Sequence, residues 1–221
     1  MNERIRRWVV LGLAMSLLVC VGLWGVAQED ATPEDAEYKT VIAILCHMSG
    51  HLRLVRMLAS YAVLSPIRSD QRLYTQYIVN FLEGKEGDHY VYLPVCSDLA
   101  ETAALWGIST DGPGLIESVR VLSASAARFN RWMFPGVSQE RPVCEVKNIA
   151  FLLAAVLEEA VLSLKPRSIE QAADHMRRAY AYAFTALGGV GTGMNPGSVT
   201  GLLVELKGSP FCRPQPQEQT D

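Results

Sequence analysis

Residues 32–66 constrain the fold most, because they predict one long amphipathic helix with a defined beginning and end. Thr32 is suited to cap this helix, and Pro33 fits the first helical position, where no N–H is needed. Pro66 ends it, because the residue before a proline is disfavoured in the α conformation. At about 1.5 Å per residue, the helix is on the order of 48 Å long.

The apolar residues of this helix recur at alternating steps of three and four: Tyr38, Val41, Leu45, Met48, Leu52, Val55, Ala59 and Ala62. Such spacing is typical of a helix packed nearly parallel to its neighbours. A single helix that exposes this face is not stable in water, so the rest of the chain has to cover it.

The remaining chain predicts further helices, bounded by serine caps, glycines and prolines. They lie at 70–83 after Ser69, at 98–106, at 113–134, at 145–165, at 168–187 and after Ser198. Residues 90–95 are expected to be extended rather than a sheet strand, because they contain Pro94. We therefore predict an all-α fold, an antiparallel bundle of about five main helices plus short ones. The 145–165 helix, the most hydrophobic, is expected at its centre.

The N-terminus predicts export. Three arginines precede residues 8–27, an apolar run without a charge that ends in small residues. This order is typical of a secretory signal peptide, cleaved after Ala27. A run of about 20 apolar residues is also long enough for an uncleaved membrane anchor. Either alternative leaves the rest outside the cytoplasm, periplasmic, secreted or anchored with the domain outside.

The chain divides by composition into three parts. Residues 1–27 form the signal or anchor, residues 32–207 a single helical-bundle domain, and residues 208–221 a Pro/Gln-rich tail that is expected to be largely disordered. The formal net charge is −3, and it becomes more negative without the N-terminal arginines. An acidic domain gives no reason to expect nucleic acid as a partner. Contact with a membrane is expected only through residues 8–27, if they are retained.

Four cysteines remain after residue 27: Cys46, Cys96, Cys144 and Cys212. An even number in an exported chain predicts two disulfides, with three connectivities left open. Free thiols in a core are the alternative. No pair has the C-x-x-C spacing of a redox motif or a zinc knuckle.

His47 and His51 are the most specific candidates for chemistry. They are four residues apart, so both rings project from one face of the long helix and could share a zinc or copper ion. A third ligand would have to come from elsewhere, such as His89 or Asp88. The alternative is a pair of semi-buried imidazoles that cap polar atoms of a neighbouring helix.

Other motifs carry less chemistry. The glycine-rich residues 188–197 lack the preceding strand and the lysine of a phosphate-binding loop. Glu158 and Glu159 are adjacent, so they point about 100° apart and cannot form a facing acid/base pair. Four arginines could form a local basic patch, but solvated faces paired with nearby acids are favoured: Arg53, Arg56, Arg68 and Arg72.

These observations favour an exported, non-enzymatic helical domain with a binding or structural role in the cell envelope, without a cofactor. The first alternative is a metal-binding helical protein that uses His47 and His51. A weaker alternative is a hydrolase whose residues come together only in the fold.

Overall fold

A computed structural model of the chain describes residues 33–94, 97–105, 113–132, 140–165, 168–189 and 197–207. The chain divides into a unit of residues 1–39 and a compact unit of residues 40–221. The described residues are helical and contain no strand, which confirms the predicted all-α class. The three-part division predicted from composition stays a prediction.

Seven α-helices and one 3-10 helix make up the described part of the chain. They are α1 (Pro33–Leu64), α2 (Arg68–Glu83), α3 (Ser97–Leu105), α4 (Leu115–Ser125), the 3-10 helix (Ala126–Arg131), α5 (Arg141–Leu164), α6 (Ile169–Leu187) and α7 (Val199–Lys207). The most extensive helix pair is α5 with α6, and α5 also contacts α2, α4, the 3-10 helix and α7. This confirms that the most hydrophobic helix is central.

The long helix α1 begins and ends as predicted, within two residues of the proposed stop. All eight residues of its apolar stripe are buried. By length and composition alone, Glu34–Leu64 is also the one described helix that could cross a membrane, but half of its apolar window is buried within the protein. The core helix of a soluble protein has the same property. Residues 8–27, the predicted signal or anchor, lie outside the described residues, as does the proposed cap Thr32.

The predicted cap of α2 is wrong. The helix begins at Arg68, and its cap position is Ile67, which makes no side-chain capping hydrogen bond. Ser69 lies inside the first turn, where its hydroxyl donates to Asp70. At the other end Gly84 adopts φ 75° and its N–H bonds the carbonyl of Asn80, so the predicted glycine stop is confirmed.

Two polar residues lie on the buried side of α2. Gln71 and Thr75 are fully buried, whereas the apolar Leu73 is 40 % exposed. The Gln71 amide donates to the carbonyls of Ala62 and Ile169, each at 3.2 Å. Gln71 thus satisfies carbonyls near the end of α1 and the start of α6, which an apolar side chain could not do.

Two helices have bounds that differ from the prediction. The helix expected at 113–134 changes into a 3-10 helix at Ala126, although Ala126 and Phe129 remain buried. Helix α5 begins at Arg141, four residues early, because Pro142 is tolerated in a first turn. Nor is α5 buried on every side, since Phe151 is 69 % exposed.

Two predicted serine caps are confirmed at the other end of the chain. The Ser168 hydroxyl accepts a hydrogen bond from the Gln171 N–H at 3.2 Å, at the start of α6. The Ser198 hydroxyl accepts one from the Gly201 N–H at 3.1 Å, at the start of α7. Each cap satisfies one of the free N–H groups of a first turn.

The end of α2 and the start of α4 meet through two glycines. A Cβ on Gly84 would lie 2.6 Å from the backbone N of Gly114, and a Cβ on Gly114 would lie 2.5 Å from the backbone N of Gly84. Backbone atoms on both sides leave no flexible side chain to move. Only glycine therefore allows these two segments to approach so closely.

We expect Gly114→Ala to lower the free energy of unfolding by about 2 kcal/mol, because the new methyl group forces the two backbones apart. Urea unfolding followed by circular dichroism measures this loss. Glu86→Ala, an exposed change in the adjoining loop, is the control and is expected to stay within about 0.5 kcal/mol of the parent protein. Equal stability of the two variants would contradict the close contact.

Candidate functional site

His47 and His51 lie against each other on successive turns of α1. Their ring centroids are 4.1 Å apart and the planes are inclined by 59°. The Nδ1 of His51 lies 3.1 Å from the carbonyl oxygen of His47, to which a protonated Nδ1 donates. The His51 ring also meets the edge of Phe81 of α2 at 5.7 Å. His51 is therefore buried more deeply than predicted, at 2 % exposure, while His47 is half-buried.

Burial favours the neutral form of both imidazoles. Burial, followed by repulsion from a protonated His47, lowers the pKa of His51 to about 4, although the backbone hydrogen bond opposes the shift. Burial also lowers the pKa of His47 below its usual 6.5. The neutral ring is the form that binds a metal, so the electrostatics suit a ligand pair.

A third metal ligand is missing from the part of the chain that the structure describes. Within it, no group of three histidine, cysteine, aspartate or glutamate side chains could hold an ion. His89, one predicted third ligand, instead places its Nδ1 2.8 Å from Glu83 on α2. Asp88, the other, lies in the same loop and is exposed. The structure thus brings two imidazoles together, and metal binding stays a prediction.

The cysteines divide into two pairs. Cys46 of α1 and Cys144 of α5 are exposed and carry free thiols. They lie on solvent-facing sides of their helices, so no disulfide joins them. Cys96 and Cys212 lie outside the described residues. The prediction of two disulfides is therefore without support at Cys46 and Cys144, and it stays untested at the other two positions.

Glu158 and Glu159 have different surroundings, as their spacing required. Glu158 is exposed, whereas Glu159 accepts hydrogen bonds from Nδ1 of His175 at 2.6 Å and Nε of Arg178 at 2.8 Å. Burial raises the pKa of Glu159, but these hydrogen bonds outweigh it and hold the pKa below its usual value. No described hydroxyl or thiol bonds the His175 ring, so the cluster joins α5 to α6 without a nucleophile. Most of the 188–197 loop lies outside the described residues.

A buried carboxylate lies at the start of α5. Arg141 donates through Nε to Glu145 at 2.8 Å and through Nη2 to Glu205 of α7. The second oxygen of Glu145 is buried without a hydrogen-bond partner. Burial, and then repulsion from Glu145, raises the pKa of Glu205, with Arg141 acting in the opposite direction. One arginine therefore holds two carboxylates and ties the last described helix to the centre.

A cleft with a volume of about 700 Å³ lies at the glycine junction. Its lining carries charges of both signs, and two of its carboxylates have partners. Glu83 pairs with His89, and Glu117 pairs with Arg120. Such a surface is adequately solvated and paired as it stands, so it has little electrostatic need of a ligand.

A second recess runs between α1 and α6, and we call it the α1–α6 groove. One end, of about 290 Å³, is lined by Arg53, Arg56, Met57, Ser60 and Tyr180. The other end, of about 310 Å³, is lined by Ser60, Val63, Leu64, Arg177 and Tyr180. Ser60 and Tyr180 line both recesses, so the two adjoin each other. Together they fall within the size range of small-molecule sites.

Arg56 forms the inner wall of this groove. Its Nη2 donates to the Tyr180 hydroxyl at 3.0 Å. Its guanidinium carbon lies 4.5 Å from the ring centroid of Phe184 and 5.3 Å from that of Tyr180. These two rings are stacked, with planes inclined by 13°. Among the described residues no carboxylate pairs with Arg56, and its Nε is buried without a hydrogen-bond partner.

The prediction that the arginines of α1 and α2 lie on solvated faces is wrong for Arg56 and Arg68, and no described carboxylate pairs with any of the four arginines. Arg56 lies on aromatic rings, and Arg68 donates at 2.7 and 2.9 Å to the carbonyls of Ser163 and Lys165, at the end of α5. Sequence reasoning missed both contacts, because each partner is roughly a hundred residues away. The signal that could have found the groove is the aromatic pair Tyr180 and Phe184, at helical spacing on α6.

Comparison with known proteins gives no similarity on which a function could be based: no family model, no curated protein and no solved structure matches this chain. The fold and the groove therefore define its class, an all-α bundle with an arginine-lined recess between two helices.

Proposed function

We propose that this protein is an exported, non-enzymatic helical domain that binds a ligand or partner in the cell envelope through the α1–α6 groove. The observation that carries the proposal is the groove itself, a recess with an apolar end and an arginine end on rigid helices. Export is inferred from the charged and apolar order of residues 1–27.

The apolar end of the groove supports a binding role. Leu64 is 77 % exposed at its rim, and the nearby Tyr61 is 47 % exposed. Burying exposed apolar surface is favourable by about 25 cal/mol per Å². A helix end that leaves a leucine this open beside a recess gains stability when an apolar group covers it.

An uncharged fluorescent probe, N-phenyl-1-naphthylamine, tests the proposal on the full chain. We expect its fluorescence to rise on binding, and the affinity to fall at least about threefold in Leu64→Asn, because a leucine contact contributes about 1 kcal/mol. Phe151→Asn is the matched control, since Phe151 is equally open but lies on α5, outside the groove. Both variants keep residues 1–27, so probe taken up by that segment cancels in the comparison.

The proposal fails if the two variants bind the probe with the same affinity as the parent protein. Fractionation of the producing cells tests the export separately. Recovery of the chain in the cytoplasm would contradict it, whereas an envelope location would support it. An intact mass would then show whether residues 1–27 are removed.

A further inference from the structure

We infer that the α1–α6 groove selects a small organic anion with an apolar chain, a carboxylate, sulfonate or phosphate monoester. The acid group would lie at Arg53 and Arg56, and the chain would run along Val63 and Leu64. This inference rests on the proposed function and adds to it the chemical class of the ligand.

The charge of Arg56 is what requires an anion. The residue is half-buried, its Nε is shielded from water, and no described carboxylate pairs with it. A cation withdrawn from water is costly unless an opposite charge or hydrogen bonds replace the lost hydration. The faces of Tyr180 and Phe184 offset part of this cost. The remaining donors of the guanidinium are suited to a planar or tetrahedral oxyanion.

Arg53, the second arginine at this end of the groove, adds to the positive charge of Arg56. Arg53 lies three residues before Arg56, so the two project on the same side of α1. It is exposed, and no described carboxylate pairs with it. Ser60 adds no donor, because its hydroxyl donates to the carbonyl of Arg56 at 3.0 Å. The charge at this end therefore comes from two arginines without counter-ions.

The opposite end of the groove differs in charge, so an anionic ligand is expected to bind in one orientation. Its arginine, Arg177, is already paired with Asp174 one turn earlier on α6. The other side chains there include Val63 and Leu64, which are apolar. From Arg56 to Leu64 the helix rises about 12 Å, which sets the length of the apolar chain. A ligand with its anionic group at Arg56 and its apolar chain extended toward Leu64 is therefore complementary to both ends of the groove.

The probes are octane-1-sulfonate, whose charge persists at every accessible pH, and 1-octanol, its neutral analogue. Each is titrated into the full chain in competition with N-phenyl-1-naphthylamine. We expect the sulfonate to bind at least about tenfold more tightly than the alcohol, as a charge-assisted hydrogen bond contributes in that range. Methanesulfonate, which lacks the apolar chain, is expected to compete poorly.

Substitutions of single arginines test where the anionic group of the ligand binds. Arg56→Gln is expected to weaken sulfonate binding about tenfold and octanol binding far less, because glutamine keeps a neutral hydrogen-bond donor. Arg53→Gln removes an exposed, unpaired side chain, so it is expected to fold normally and to weaken sulfonate binding a few-fold. Arg120→Gln, outside the groove, is expected to change sulfonate binding less than about twofold, because its charge is already paired with Glu117. Thermal unfolding of each variant reports whether the bundle is intact.

Each outcome of these titrations supports or overturns the proposed selectivity for an anion. Selective loss of sulfonate binding in Arg56→Gln and Arg53→Gln supports it. Equal affinity for sulfonate and octanol overturns it but leaves the proposed binding function standing, since the apolar probe would still occupy the groove. Sulfonate binding that survives both substitutions overturns it as well. Binding of anionic phospholipid vesicles that depends on Arg56, without binding of the free sulfonate, would replace the small ligand by a membrane surface.

Discussion

Replacing Arg141 with methionine is expected to lower the free energy of unfolding by about 3 kcal/mol, because a carboxylate would be left buried without its counter-charge. The Glu145 side chain is 6 % exposed, and among the described residues only Arg141 donates a hydrogen bond to it, to one oxygen. Glu205 is held by the same guanidinium, so its repulsion from Glu145 would also be uncompensated. The arginine itself is 41 % exposed, which places the expected loss at the lower end of the usual range.

Two further variants separate charge from packing. Glu145→Gln combined with Arg141→Met removes the stranded charge, and it is expected to restore more than half of the lost stability. Arg120→Met breaks another arginine–glutamate pair, the exposed one with Glu117. It is expected to change the free energy of unfolding by less than about 0.5 kcal/mol. Urea unfolding measures all three. If Arg141→Met were no more harmful than Arg120→Met, Glu145 would not depend on Arg141 in the folded protein.

Local signals made most of the fold predictable. Pro33 and Pro66 bracket α1, and the three-and-four spacing between them identified a face that is fully buried in the structure. Gly84, Ser168 and Ser198 mark helix ends through conformations and hydrogen bonds that each residue makes with its own neighbours. Such features depend on a few consecutive residues, and for that reason they can be inferred from sequence.

Distant contacts explain what the sequence did not predict. Gln71 is buried because two other helices present carbonyls to it, a fact that no local pattern contains. The carboxylate of Glu145 shares an arginine with a residue in α7, and Arg56 meets rings that lie in α6. Periodicity identifies which side of a helix is apolar, but it does not identify the polar group on the helix that packs there.

The candidate site was predicted in part for the same reason. His47 and His51 share a helix, so their proximity followed from a spacing of four, and the structure places their rings 4.1 Å apart. The depth of His51 was underestimated, because its burial depends on Phe81 of the neighbouring helix. The α1–α6 groove was not predicted at all, since it exists only where two helices far apart in sequence meet.

Acidification is expected to destabilise the protein through His51, by about 3 kcal/mol between pH 7.5 and pH 4. In the unfolded chain the imidazole takes up a proton near pH 6.5, whereas the folded protein keeps it neutral until about pH 4. Between these values the unfolded state binds more protons, so stability rises with pH. The contribution of His51 is therefore complete above about pH 6.5 and is lost as the pH falls toward 4.

His51→Leu isolates this contribution from that of the carboxylates, which titrate in the same range. Leucine keeps an apolar group against Phe81 but takes up no proton, and the carbonyl of His47 retains its backbone hydrogen bond within α1. The parent protein is thus expected to lose about 3 kcal/mol more than the variant in urea unfolding between pH 7.5 and pH 4. Parallel losses in the two proteins would mean that His51 takes up its proton at the same pH in the folded and the unfolded chain, which would contradict its lowered pKa. An imidazole that stays neutral down to about pH 4 can also bind a metal throughout this pH range. The same urea titration in the presence of zinc therefore tests whether His47 and His51 bind the ion. Bound zinc would shift the loss of stability to lower pH in the parent protein but not in His51→Leu.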